Sequence, residues 1–190
     1  MVGLRERKKR SAMRRIQEVA LDLFDERGFE AVTIEQIADA AEVSPSSVYR
    51  YFGTKEQVVL WDEVDVDLFD AIEAELAAHP PVEAMRRALS TVVPQIFDGH
   101  ELGKRKTRYA FEEPALRAAL LEQTDALTRR VAEALARASS WSADELEPQV
   151  IASMLMTAMM TAARHWHARG YRDSIVDELE RALAIVERGV

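Results

Sequence analysis

Apolar positions in this chain recur every three to four residues almost from end to end, the period of an α-helix with one buried face. Ile16, Val19, Ala20, Leu23 and Phe24 form the first such stripe, and Gly28 beyond it closes a helix predicted over about residues 5–27. Thr33 is an N-cap with Gln36 three residues on, and Ile34, Ile37, Ala38 and Ala41 make the buried stripe of a second helix of barely two turns. Ser44 followed by Pro45 starts a third, short helix that carries Val48 inward and runs to about Tyr51. Only Glu42 and Val43 separate these two helices, a connection suited to the sharp corner of a helix-turn-helix.

Beyond Gly53, Thr54 with Gln57 opens a long fourth helix predicted to reach His79, on the stripe Val58, Trp61, Leu68, Phe69, Ile72 and Leu76. The fifth covers about 82–97, with Pro94 inside its pattern and a kink expected there. The sixth covers about 101–111, and the seventh runs past Leu116, Leu127, Val131 and Leu135 to about Ser139. An eighth is predicted from the cap Ser142 to Arg169, and a ninth from Ser174, bearing Leu179, Leu183 and Val186. The expected fold is all-α, about nine helices and no strand. A three-helix helix-turn-helix domain over 1–56 precedes a helical bundle over 57–190.

The most apolar stretch, Val150 to Ala163, is interrupted by Ser153, Thr157 and Thr161, so no membrane span is expected. The chain has no Cys, and its charged N-terminus lacks the apolar core of a secretion signal, so a cytoplasmic location is expected. A formal net charge of −8 speaks against a polyanionic partner until its distribution is followed. The acidic excess lies entirely behind residue 57, while Arg5, Arg7, Lys8, Lys9, Arg10, Arg14 and Arg15 face only Glu6 at the front. Such an arm is able to neutralise phosphates and release condensed counterions; a solvated N-terminus is the other reading.

The third predicted helix is short, exposed on one side and rich in groups that reach phosphates and base edges: Ser46, Ser47, Tyr49, Arg50 and Tyr51. Arg50 is able to donate two parallel bonds to a guanine edge, and the serine and tyrosine hydroxyls reach bases or phosphates. The run from Thr33 to Glu56, following Leu23-Phe24-Asp25-Glu26-Arg27-Gly28-Phe29, resembles the DNA-binding signature of the TetR family over about residues 10–60. Glu42 departs from it, standing where family members usually have Gly. The resemblance implies a transcriptional regulator that binds double-stranded DNA. Its phosphate contacts would fall on Thr33, Tyr49, Tyr51 and Lys55, with Ser44, Ser46, Ser47 and Arg50 completing the surface. It also implies a rear domain with an effector cavity and a homodimer built through the last two helices. The eighth helix, apolar almost all round from Met154 to Ala163, fits an element covered on two sides.

Candidates for the effector site are the aromatic and Met side chains Trp61, Phe69, Phe97, Tyr109, Phe111, Met154 and Trp166, which are equally the ordinary interior of a bundle. Lys104, Arg105, Lys106 and Arg108 form a basic run in an acidic domain, either an anchor for a ligand's carboxylate or phosphates or a solvated helix face. Lys55 to Asp62, with Pro114-Ala115-Leu116-Arg117, resembles a TetR subgroup that includes mycofactocin-system regulators and responds to acyl-CoA-like ligands. The expected effector is therefore small and apolar or amphipathic, such as an acyl-CoA. Neither a cofactor nor a metal is expected.

Two other classes compete: a helical-bundle enzyme and an architectural DNA binder without an effector. A di-iron bundle needs Glu-x-x-His on two helices. None of His79, His100, His165 or His167 has Glu three residues before it, and His165 and His167 project about 200° apart on a helix. The sequence has no Gly-rich phosphate loop and no Gly-x-Ser-x-Gly elbow, so no enzyme is expected.

Overall fold

The computed structural model describes residues 4–61, 64–97 and 101–188, with side chains described from residue 7 and outside 64–67 and 94–97. Among the described residues all regular structure is helical. The order is α1 (Leu4–Arg27), α2 (Ile34–Ala40), α3 (Pro45–Phe52), α4 (Lys55–Leu60), α5 (Val64–Leu76), α6 (Pro81–Phe97), α7 (Glu101–Glu112), α8 (Pro114–Ala138), α9 (Leu146–Ala168) and α10 (Ile175–Arg188).

Among the described residues ten helices stand where nine are expected, because the predicted long fourth helix is two. Trp61 leaves α4 in an extended conformation, φ −59° and ψ 131°. Gln17 on α1, 2% exposed, supplies the reason. Its Nε2 lies 2.8 Å from Val58 O, 3.2 Å from Val59 O and 2.8 Å from Trp61 O. Carbonyls at a helix C-terminus have no donor of their own, so a buried side-chain amide reaching them stabilises a stop. A second correction concerns α9, which begins at Leu146 rather than at Ser142. Pro148 has no N–H and is tolerated only in a helix's first turn, which places the start just before it. Ser142 instead heads the preceding turn, its carbonyl accepting from Glu145 N at 3.1 Å. The helix α6 continues through Pro94.

The chain clusters into two compact units, Met1–Glu63 with Arg108–Ala119, and Val64–Thr107 with Leu120–Val190. The expected boundary at 56/57 thus falls inside α4. The first unit also takes the last turn of α7 and the first of α8, a long-range association that no local signal announces.

In the first unit Ile16, Leu21 and Phe24 of α1 are buried together with Ile37, Val48, Val58 and Leu116. Each such side chain contributes about 1.5–3 kcal/mol by leaving water, enough to hold helices too short to persist alone. The second unit has its own core, in which Phe69, Met85, Leu89, Leu135, Leu155, Trp166 and Leu183 are buried. Arg86 of α6 ties down α10 by bonds to Glu180 at 3.0 Å and Glu187 at 2.9 Å, while also holding Glu83 at 2.8 Å. Those carboxylates raise the guanidinium pKa further.

Candidate nucleic-acid interface

The helix-turn-helix is built by caps that the local sequence specifies. Thr33 and Gln36 form a reciprocal capping box on α2, with bonds of 3.0 and 3.3 Å. Ser44 caps α3 by accepting from Ser47 N at 3.3 Å, with Pro45 in the first turn. Between them, α2 ends in a paired closure. Glu42 N donates to Asp39 O at 3.0 Å and Val43 N to Ala38 O at 2.9 Å. This closure requires a left-handed residue just past the helix, and Glu42 takes that conformation at φ 54°. Arg15 of α1 reaches across and donates to Ala41 O, placing a cation at the same helix end.

Val48 and Phe52 fix α3 to the core, 0% and 8% exposed, and so turn the remaining arc outward. Ser46, Tyr49 and Arg50 are exposed, and Ser47 and Tyr51 partly so. Gly53 ends the helix at φ 78°, a conformation open to glycine and costly for other residues, and Thr54 starts α4 by accepting from Gln57 N at 3.2 Å.

Each expected DNA-facing side chain has a definite place. The Ser44 hydroxyl serves the α3 cap and lies 2.9 Å from both Ser46 Oγ and Ser47 Oγ. Arg50 donates to Ser47 Oγ at 3.3 Å and lies over the Tyr51 ring at 5.0 Å, leaving most of its five donors available. Lys55 donates to Phe29 O at 2.8 Å and sits 4.2 Å from the Phe29 ring centroid, so its ammonium braces the turn between α1 and α2 with two further protons to give. Tyr49 donates its only hydroxyl proton to Glu35 Oε1 at 3.2 Å. Glu35 stays ionised well below the usual carboxylate range, held down by its own backbone N–H and then by the Thr33 hydroxyl. That negative charge in turn raises the Tyr49 phenol. The sequence reading missed Glu35, because its contact with Tyr49 spans fourteen residues and depends on the corner between α2 and α3.

The side chains expected round an effector are divided between the two units. Trp61 belongs to the first unit, at the end of α4, packed edge-on against Phe52 at 5.9 Å. Arg108 and Tyr109 also lie in the first unit, where both donate to Asp25 Oδ1 of α1, the tyrosine at 2.8 Å. Burial, and then this bond, push the Tyr109 phenol up to about 12. Its ring meets Phe24 edge-on at 5.8 Å. Phe111 lies on the same last turn of α7, partly buried. Within the second unit, Trp166 is 4% exposed, stacked edge-on against Tyr171 at 4.6 Å, with its indole N–H on Asp173 O at 2.7 Å. Phe69 is 7% exposed and covered by Arg130 at 3.7 Å. Arg105 is partly buried on α7, and the side chain of Phe97 lies outside the described residues. Met154 points outward rather than into the domain, 47% exposed. It lines a surface groove between α9 and α10 with Val150, Thr157, Ala182, Ile185 and Val186.

Comparison with known proteins agrees with this architecture. The sequence profile described as "Bacterial regulatory proteins, tetR family" matches residues 16–60, and that of the "MftR C-terminal domain" matches 79–190. The chain is 30% identical to the HTH-type transcriptional regulator TcmR of Streptomyces glaucescens over 180 residues, 90% of this chain and 80% of that protein. Its fold is similar to that of the TetR-family repressor FadR of Thermus thermophilus, solved with lauroyl-CoA, at TM-score 0.61 and 24% identity, covering 94% of both chains. The fatty acid degradation regulator FadR from Bacillus halodurans is similar at TM-score 0.63 and 18% identity, over 94% of this chain and 96% of that one. With one profile on the helix-turn-helix and another on most of the helices behind it, the chain belongs to the TetR family of bacterial transcriptional regulators.

Proposed function

We propose that this regulator binds a pseudo-palindromic operator as a homodimer, with α3 in the major groove, and acts as a repressor released by a small effector. The observation that carries the reading is the exposed polar arc of α3 from Ser46 to Tyr51, set on a buried Val48 and Phe52. In the proposed division of labour Arg50 reads a base edge, while Thr33, Tyr51 and Lys55 hold the phosphates. The front of the chain, through α4, is the DNA-binding part, and the helices behind it sense and dimerise. No chemistry is assigned to it, its relatives being named as regulators.

For the dimer, the support is a line of exposed apolar side chains on the last two helices: Leu146, Val150, Met154 and Ile185 are between 44% and 73% exposed. A second copy is the natural cover, and a two-fold pair would set its recognition helices roughly 34–36 Å apart, one DNA turn. For the effector, an acyl-CoA is the first compound to test. The Thermus FadR was solved with one, and Lys104, Arg105 and Lys106 form a basic run on α7 from which phosphates could be held. Coupling between effector and DNA is assigned to α7 rather than to a single long helix after Gly53. That helix is split at Trp61, whereas α7 begins in the second unit and ends on Asp25 in the first.

The test is operator selection from a randomised duplex pool, followed by titration with and without effector. Arg50→Ala should flatten one symmetric base position by roughly 5- to 150-fold, and Lys55→Ala should weaken all sequences alike. Long-chain acyl-CoA should release the complex with saturable binding. Unaltered selection and affinity in both variants would remove α3 from the interface, and unsaturable titrations would remove the acyl-CoA.

A further inference from the structure

The Glu35 carboxylate is out of place on a surface meant for a polyanion. It is exposed in the first turn of α2, between Thr33 and the recognition helix, and bonded to the outward-facing Tyr49. Against phosphates alone it is a liability, since like charges at close range weaken association. The major groove offers a carboxylate one well-matched partner, the N4 amino group of cytosine, which donates and carries no negative charge.

We propose that Glu35 is a specificity-determining residue that accepts a hydrogen bond from a cytosine in each operator half-site, with Tyr49 as its positioning residue. The inference rests on the DNA-binding reading above and deepens it. A carboxylate has about four lone-pair sites. One donor holds the group here, the Tyr49 hydroxyl at 3.2 Å. The remaining sites stay open on the exposed face, and the bond to Tyr49 orients them. Such preorganisation lets an exposed, flexible side chain discriminate bases. Tyr49 has a single hydroxyl proton and spends it on Glu35. Its proposed role is therefore to aim the carboxylate rather than to hold a phosphate, a different role from the one that the resemblance implies. Arg50, on the same helix, then reads a different base, so one half-site would carry both a donor-read and an acceptor-read position.

The experiment is enrichment sequencing of a randomised duplex pool with the full-length wild type and with Glu35→Ala, Glu35→Gln and Tyr49→Phe, each shown to melt like the wild type. The wild type should enrich cytosine at one symmetric position. Glu35→Ala should flatten that position by roughly 5- to 150-fold while leaving the Arg50-dependent position intact. Glu35→Gln should move the preference to adenine, whose N6 and N7 match a carboxamide. Tyr49→Phe should relax the same position alone, whereas a phosphate-binding hydroxyl would weaken every sequence equally. Variants that select the wild-type operator at every position, and bind it more tightly throughout, would overturn the proposal and leave Glu35 as a repelling charge. A wild type that enriches no sequence would overturn the DNA-binding reading itself, which separates the two failures.

Discussion

Glu42 is where this chain stores a small, removable cost. The closure of α2 needs a left-handed residue, and a glutamate at φ 54° supplies it at about 1–2 kcal/mol of backbone strain. A glycine removes that strain but loses about 0.5–1 kcal/mol more on folding, because its unfolded chain is freer. The strain is the larger of the two, so Glu42→Gly should stabilise the protein by roughly 0.5–1 kcal/mol. Thermal melting should show a rise of roughly 1–4 °C, with operator affinity kept because the side chain is exposed. A fall in the melting temperature would mean that the glutamate makes an interaction outweighing its backbone. The departure was legible in the sequence as a missing glycine. Its energetic sign was not, since φ at one residue follows from the two bonds that close the helix around it.

At the scale of elements, what was legible is what is local. Thr33 with Gln36, and Ser44 with Pro45, act within four residues, and the structure puts a helix start at each. The break in the predicted fourth helix was invisible because its cause is Gln17, forty-one residues before the first carbonyl it serves. A polar residue on the first helix reads as a solvated position until α4 is laid over it. The same limit hid Asp25, whose partners Arg108 and Tyr109 come from a helix more than eighty residues on. Gln17 yields a direct test. Its two amide protons serve three buried or half-buried carbonyls, and a buried acceptor left without a donor costs about 1–3 kcal/mol. Gln17→Leu keeps the bulk and removes the donor, so urea unfolding should report a loss of roughly 2–4 kcal/mol. Gln17→Glu should lose at least as much, since it turns a carboxylate toward carbonyls. Equal stability in Gln17→Leu would show that water reaches those carbonyls and that α4 stops for another reason.

The whole molecule turns on apolar surface that the sequence cannot sort. A core, a ligand pocket and a dimer face all read alike as Leu, Met and aromatics at helical spacing, which is why Trp166, 4% exposed, and Met154, 47% exposed, stand side by side among the expected effector residues. Exposure in the folded chain does the sorting. If α9 and α10 meet a second copy, then Met154→Glu or Ile185→Glu places a charge where burial would strip its water, at a cost of several kcal/mol per ion. The folded chain itself has little to lose, since both side chains are largely exposed. Light scattering should therefore show a monomer with an unchanged melting profile in dilute protein, apart from any stability that came from pairing. Operator affinity should fall by roughly 10²–10⁴-fold, the gain that two linked heads have over one on a two-part site. Leu121→Glu is the control: equally apolar, 71% exposed, but on α8 and outside the groove between α9 and α10. It should change neither mass nor affinity. Monomers from Leu121→Glu with intact dimers from Met154→Glu would move the two-fold axis to α8, and with it the spacing of the recognition helices on which the operator's symmetry depends.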